Sequence, residues 1–110
     1  MARRPAPRPL LAAPDAAPPT HTIEFQDRPA QQGWEVLVGR RKTDMTECWD
    51  HLANSPHLDL PRKCKALVGR FARSGLRQYT VGPKERVWYT VEGKIVTIRD
   101  VHRTPPKETD

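Results

Sequence analysis

The sequence predicts an α+β fold, and three observations predict it. Apolar residues recur at helical spacing from residue 27 to 54, they alternate at strand spacing from 76 to 102, and one short alternating run, 21–26, precedes the helices. A chain of 110 residues has room for one domain and one core. The expected order is strand, helix, helix, then a meander of at least three antiparallel strands.

His21-Thr22-Ile23-Glu24-Phe25-Gln26 alternates polar and apolar side chains and reads as the first strand. Asp27 is placed to cap a helix whose first turn contains Pro29, where the missing N–H costs nothing. Trp34, Leu37, Val38 and Arg41 continue that helix, although Gly33 and Gly39 weaken it. Asp44 with Glu47 three residues on resembles a capping box for a second helix, whose apolar stripe is Met45, Cys48, Trp49 and Leu52. Asn54-Ser55-Pro56 ends it, because the residue before proline is pushed out of helical geometry. Residues 60–71 read as a short helical turn leading into a further strand around Gly69 to Ala72. Leu76–Val81, Arg86–Val91 and Lys94–His102 read as strands, joined by a turn at Gly82–Glu85 and a tight turn at Glu92-Gly93.

Residues 1–20 hold six prolines among alanines and arginines, too little apolar surface to offset the entropy of ordering, and are expected as a disordered tail ahead of a single domain spanning 21–110. Arg3, Arg4 and Arg8 would let that tail lie on RNA as a basic arm; a plain spacer is the other reading. The prolines also interrupt the Leu10-Leu11-Ala12-Ala13 run, so no secretion signal is expected, and no stretch approaches the roughly 20 apolar residues of a membrane span. Cys48 and Cys64 lack the spacing of a metal site and read as reduced thiols, so a cytoplasmic location without metal or other cofactor is expected. The net charge of +6 is unevenly spread: residues 62–110 carry twelve basic and five acidic residues, whereas 22–61 are net acidic. The basic half is the sheet half, which favours polyanionic partners.

The element order, together with Leu52-Ala53-Asn54-Ser55-Pro56, Leu67-Val68-Gly69, Tyr79-Thr80-Val81-Gly82, Arg86-Val87-Trp88-Tyr89-Thr90-Val91 and Val101-His102-Arg103, resembles the RelE/ParE superfamily of toxins from type II toxin–antitoxin modules. The resemblance covers residues 21–107. It implies a helical hairpin packed on a curved antiparallel sheet of about four strands. It also implies one of two activities: ribosome-dependent cleavage of translated mRNA without a metal, or inhibition of DNA gyrase without nuclease activity. A degenerate module that only binds an antitoxin or RNA is a third outcome. The partners implied are a cognate antitoxin, the ribosome and mRNA, with no membrane and with DNA reached only through the antitoxin.

RNA cleavage without a metal requires a base for the 2′-hydroxyl, positive charge for the phosphorane and a proton for the leaving 5′-oxygen. Arg86, which matches the arginine many mRNA-cleaving relatives place at the start of this strand, is the expected charge clamp, and His102 the expected proton-transfer group, with Arg99 beside it. Strict alternation puts Arg99 on one face with Thr97 and Val101. The strand at 77–81 presents either Gln78 and Thr80 or Arg77 and Tyr79 beside Arg86, depending on register, where many relatives present two cations. Lys63, Lys65, Arg70, Arg73, Arg77, Arg103 and Lys107 are the expected RNA-binding cations, acting on phosphates by counterion release. Near Lys107 the ending resembles a His-Pro-Lys motif of some relatives, with Pro105 where histidine would stand. Trp88 reads as either a packed side chain or a platform for a base.

Overall fold

The computed structural model describes residues 5–69 and 74–104. Its elements are β1 (Thr22–Phe25), α1 (Arg28–Arg40), α2 (Lys42–Asn54), β2 (Cys64–Ala66), β3 (Arg77–Thr80), β4 (Arg86–Glu92) and β5 (Ile95–His102). The five strands form one sheet in the order β1-β5-β4-β3-β2, with β1 parallel to β5 and the other pairs antiparallel.

The helices form where the capping chemistry predicts, with one shift. Asp27 Oδ1 accepts the Ala30 N–H at 3.0 Å and Pro29 sits in the first turn of α1. The α2 helix starts at Lys42 rather than behind an Asp44 cap, because Arg41 alone breaks the helical path and its carbonyl already accepts the Met45 N–H at 2.8 Å. Asp44 lies instead in the first turn, where it accepts from Arg41 at 3.1 Å and opposes the positive helix end. Pro56 follows the Ser55 cap, as expected.

The expected strand near Gly69–Ala72 is replaced by β2 at Cys64–Ala66; residues 70–73 lie outside the described residues. The chain reverses at residues 61–63, with Arg62 at φ 64° and Leu60 bridged to Cys64, so the strand begins earlier than its apolar pattern suggests. The turn between β4 and β5 is Gly93-Lys94, one residue later than expected, since Glu92 still pairs with Ile95 and Gly93 takes φ 60°.

One face of the sheet is covered by the helical layer. Ile23 and Phe25 of β1, Trp34 and Leu37 of α1, Met45, Cys48 and Leu52 of α2, Val87 and Tyr89 of β4, and Val96 and Ile98 of β5 are all buried together. Against β5 the helix comes unusually close: a Cβ on Gly33 would stand 2.9 Å from Val101 Cβ. Among the described residues no helix is long and apolar enough to cross a membrane.

Residues 5–20, expected as a disordered tail, contain no helix or strand but form a strap tied to the domain. Ala6 is buried, its N–H donates to Ile23 O at 2.8 Å and its carbonyl accepts from Trp49 Nε1 at 2.8 Å. Arg8 makes a two-pronged contact with Asp50 at 2.8 and 3.0 Å, and the Thr20 and His21 N–H groups both reach Ala53 O. Few apolar side chains are needed for this, because the strap is held through its own backbone and its prolines leave less freedom to lose.

Candidate active site on the open face of the sheet

Alternation along β4 sends Val87 and Tyr89 toward the helices and Arg86, Trp88 and Thr90 to the open face. On β3 the partners of Arg86 and Trp88 are Thr80 and Gln78, and on β2 the partner of Gln78 is Lys65. The register is thus the one that leaves no cation of β3 beside Arg86. Arg77 lies on the helical side, where it donates to Tyr89 Oη at 3.3 Å and pairs with Asp59. The structure does not bring Arg77 to the open face with the other expected RNA-binding cations.

A β-bulge between Trp88 and Tyr89 decides where β5 points. Counting back from the Gly93-Lys94 turn, Tyr89 pairs with Ile98; without an extra residue Arg86 would then face Val101. Arg99 is that extra residue, so Trp88 pairs with Asp100, Val87 with Val101, and Arg86 with His102. Strict alternation therefore fails at this point: Val101 turns to α1, and His102 joins Arg86 on the open face. Arg99 itself donates to Thr90 Oγ1 and Gln26 Oε1, both at 2.9 Å, at the other end of β4 from Arg86. The expected grouping of Arg99 with Arg86 and His102 is not formed.

Beside Arg86 a polar cleft of about 200 Å³ opens, lined by Leu60, Arg62, Lys63, Cys64, Lys65, Gln78, Thr80 and Arg86. Arg86 is only 8% exposed; its NH1 donates to Gly82 O at 3.0 Å and Glu85 O at 3.1 Å, which anchors the guanidinium against the turn. Glu85 is held in turn by Arg41 at 3.2 Å, and this contact, with backbone N–H groups, holds its carboxyl below the usual range despite the opposing effect of its desolvation. Lys65 is exposed on the edge strand, and Lys63 places its ammonium 3.6 Å from Glu47 of α2. His102 is half-buried; burial lowers its pKa from the ordinary value, with Asp100 opposing. Its Nε2 is enclosed without a hydrogen-bond partner among the described residues, and its ring meets Trp88 edge-on with centroids 4.5 Å apart. Trp88, 7% exposed, is a packed side chain and not a platform for a base.

Of the expected site residues, Arg86 and His102 come together, Lys63 and Lys65 line the adjoining cleft, and Arg103 follows His102 at the surface. Arg70, Arg73 and Lys107 lie outside the described residues. Gln78 and Thr80 enter the site through register alone, and Asp100 through the bulge; no local residue pattern marks them. Arg62 belongs to the basic run that contains Lys63 and Lys65, and its place in the cleft depends on its positive φ. Among the described residues no group of three His, Cys, Asp or Glu side chains could hold a metal. A larger groove of about 620 Å³ lies between the strap and α1; its walls are mostly Pro5, Pro7, Pro9, Phe25, Trp34 and Val38, with Arg8, Gln31, Glu35 and Lys42 at their edges, and it contains neither Arg86 nor His102.

No protein-family model matches the chain, and no curated protein matches it. Solved structures do. YafQ from Escherichia coli, in its complex with DinJ, aligns with a TM-score of 0.56 at 17% identity, over 76% of this chain and 91% of YafQ. YoeB from Staphylococcus aureus, in its complex with YefM, gives 0.58 at 16% identity, over 74% and 94%. A copper-bound mutant toxin from Helicobacter pylori gives 0.57 at 14% identity, over 73% and 90%.

Proposed function

From the RelE-like toxin fold that this chain shares with YafQ and YoeB, we propose that it is the toxin of a type II toxin–antitoxin module and cleaves mRNA on the ribosome in the cytoplasm. The observation that carries this reading is the cross-strand pairing of Arg86 with His102 on the open face, beside a cleft lined by basic side chains. The RNA phosphate lies against Arg86, with Arg62, Lys65 and the Lys63 stem around it. His102, kept neutral by its burial, takes the 2′-hydroxyl proton. The 2′-oxygen bonds to phosphorus, the bond to the 5′-oxygen breaks, and that oxygen takes a proton from solvent. Arg86 offsets the charge that builds on the phosphorane. A cognate antitoxin, the partner type with which YafQ and YoeB are crystallised, neutralises the basic face.

Two observations favour a second reading, a toxin that inhibits gyrase by binding alone. The β3 positions beside Arg86 are Gln78 and Thr80 rather than cations, and Arg86 is tied to two carbonyls. Induced expression in growing bacteria, wild type beside Arg86→Ala and His102→Gln, with mapping of new mRNA 5′ ends, separates the two. New ends in reading-frame register that vanish in both variants support cleavage. Growth arrest without new ends, undiminished in the variants, overturns it in favour of binding.

A further inference from the structure

We propose that Trp88 is a positioning residue for His102: its indole, pinned through Nε1 to Gln78, holds the imidazole in one orientation at the end of β5. The inference rests on the reading of the open face as the RNA-cleaving site, and it adds to that reading the group that orients the base.

A histidine that moves protons is usually oriented by a hydrogen bond at its second ring nitrogen. Among the described residues that device is missing: His102 Nε2 is enclosed and meets no hydrogen-bond partner there. What contacts the ring is Trp88, diagonal to it across the β4–β5 pair, at a centroid distance of 4.5 Å and an interplanar angle of 62°. Edge-to-face geometry of this kind is a preferred aromatic arrangement and is directional, unlike general apolar packing. The indole is itself fixed. Its N–H can only donate, and it donates to Gln78 Oε1 at 2.9 Å; Gln78 is 2% exposed and Trp88 7%, so the pair is enclosed and locked in place.

The register makes this arrangement depend on two features of the chain. Gln78 and Trp88 face each other across β3 and β4, and the bulge just past Trp88 brings His102 onto the same face. With Nε2 enclosed, proton exchange at His102 runs through Nδ1, and the indole decides where Nδ1 points. A ring left free to turn about its side-chain bonds would sample orientations in which Nδ1 misses the 2′-hydroxyl, and misplacement of about 1 Å costs roughly 100-fold in rate.

The test uses the full chain and three variants. Trp88→Phe keeps an aromatic wall and removes the N–H, Trp88→Leu removes the wall, and Gln78→Met removes the acceptor that pins the indole. The first readout is the NMR spectrum of the His102 ring protons in the absence of RNA, assigned by their disappearance in His102→Gln. Expected are ring protons displaced by the indole ring current in the wild type, displaced but broadened in both Trp88→Phe and Gln78→Met, which each lose the pinning bond, and at ordinary positions in Trp88→Leu. The second readout is cleavage in a translating bacterial extract. The saturating rate should fall about 10- to 100-fold in Trp88→Leu and by less, to a similar extent, in Trp88→Phe and Gln78→Met, with the half-saturating toxin concentration unchanged. Undisplaced ring protons in the wild type, or a Trp88→Leu protein with wild-type rate, overturn the proposal. If Trp88→Leu does not fold, Gln78→Met decides: ring protons and rate both identical to wild type overturn it. If His102→Gln cleaves as well as wild type, the site reading itself fails, and the ring-proton shifts still report separately whether Trp88 holds the ring.

Discussion

Arg77 shows how one side chain can carry charge without facing the open side of the sheet. Its guanidinium reaches Tyr89 Oη at 3.3 Å and pairs with Asp59, while Tyr89 Oη donates to Pro56 O at 2.7 Å and lies 3.1 Å from Cys64 Sγ. This buried network links β2, β3 and β4 to the segment after α2. Tyr89→Phe should therefore cost about 1–3 kcal/mol in denaturant unfolding, since it leaves the Pro56 carbonyl and Arg77 short of a partner. Arg77→Ala should lower stability in the same assay while the folded protein keeps its cleavage rate and its salt dependence; a reduced salt slope would place Arg77 on RNA after all. Under the proposed cleavage, the pH profile is assigned to His102. Its pKa is lowered by burial, so the ring stays neutral to below the ordinary value of about 6.5, and cleavage should fall only as the pH drops further. That acid limb should be missing from the residual activity of His102→Gln.

Among the elements, the contact of α1 with β5 sets the distance between the helical layer and the strand that carries His102. Glycine at position 33 fits there without displacing its neighbour, whereas an added Cβ would meet Val101 Cβ at 2.9 Å and Cγ1 at 3.3 Å. Gly39, on the same helix, has open space. Alanine favours a helix interior over glycine by about 1 kcal/mol, so Gly39→Ala should stabilise the protein. At Gly33 the overpacking cost of about 1–3 kcal/mol opposes that gain, and Gly33→Ala should come out neutral to destabilising by up to about 2 kcal/mol in the same unfolding experiment. Since Val101 precedes His102, Gly33→Ala should also reduce cleavage, whereas Gly39→Ala should leave it unchanged.

For the whole molecule, the strap and the acid response are the two collective properties. Removing residues 1–9 deletes the carbonyl that accepts from Trp49 Nε1 and the Ala6 bond to β1, and should lower the melting temperature by roughly 4–8 °C for each 1 kcal/mol lost. Cleavage should survive, because the open face is on the other side of the sheet. His51 and His102 both have pKa values lowered by burial, with the Leu58 backbone opposing at His51 and Asp100 at His102. The unfolded chain then binds more protons than the folded one below about pH 6.5, so their contribution is fully present above that value and is lost as the pH falls through the folded pKa values. Glu85, held low chiefly by Arg41 against its own desolvation, adds a second loss below its ordinary value. A melting temperature that rises on acidification from pH 7 to 5 would contradict this assignment.

Local chemistry alone determined much of this protein. The Asp27 cap, Pro29, the Met45-Cys48-Leu52 stripe, Pro56 and the β-branched run of β5 each act within a few residues, so both helices and the three C-terminal strands are legible from the sequence, whereas Arg86 and His102 became candidates through the resemblance to a toxin family. What the tertiary structure decided is everything that depends on pairing. Whether Gln78 and Thr80 or Arg77 and Tyr79 share the open face with Arg86 is a one-residue matter of register, and either choice satisfies the alternation of β3 locally. The bulge at Arg99 reverses the face of His102 only because Ile98 and Val101 must both reach the helical layer, a demand that comes from the core and not from β5. The strap stays on the domain because Ile23, Trp49, Asp50 and Ala53, up to 43 residues away in sequence, complete its hydrogen bonds, and no composition of the first 20 residues encodes that.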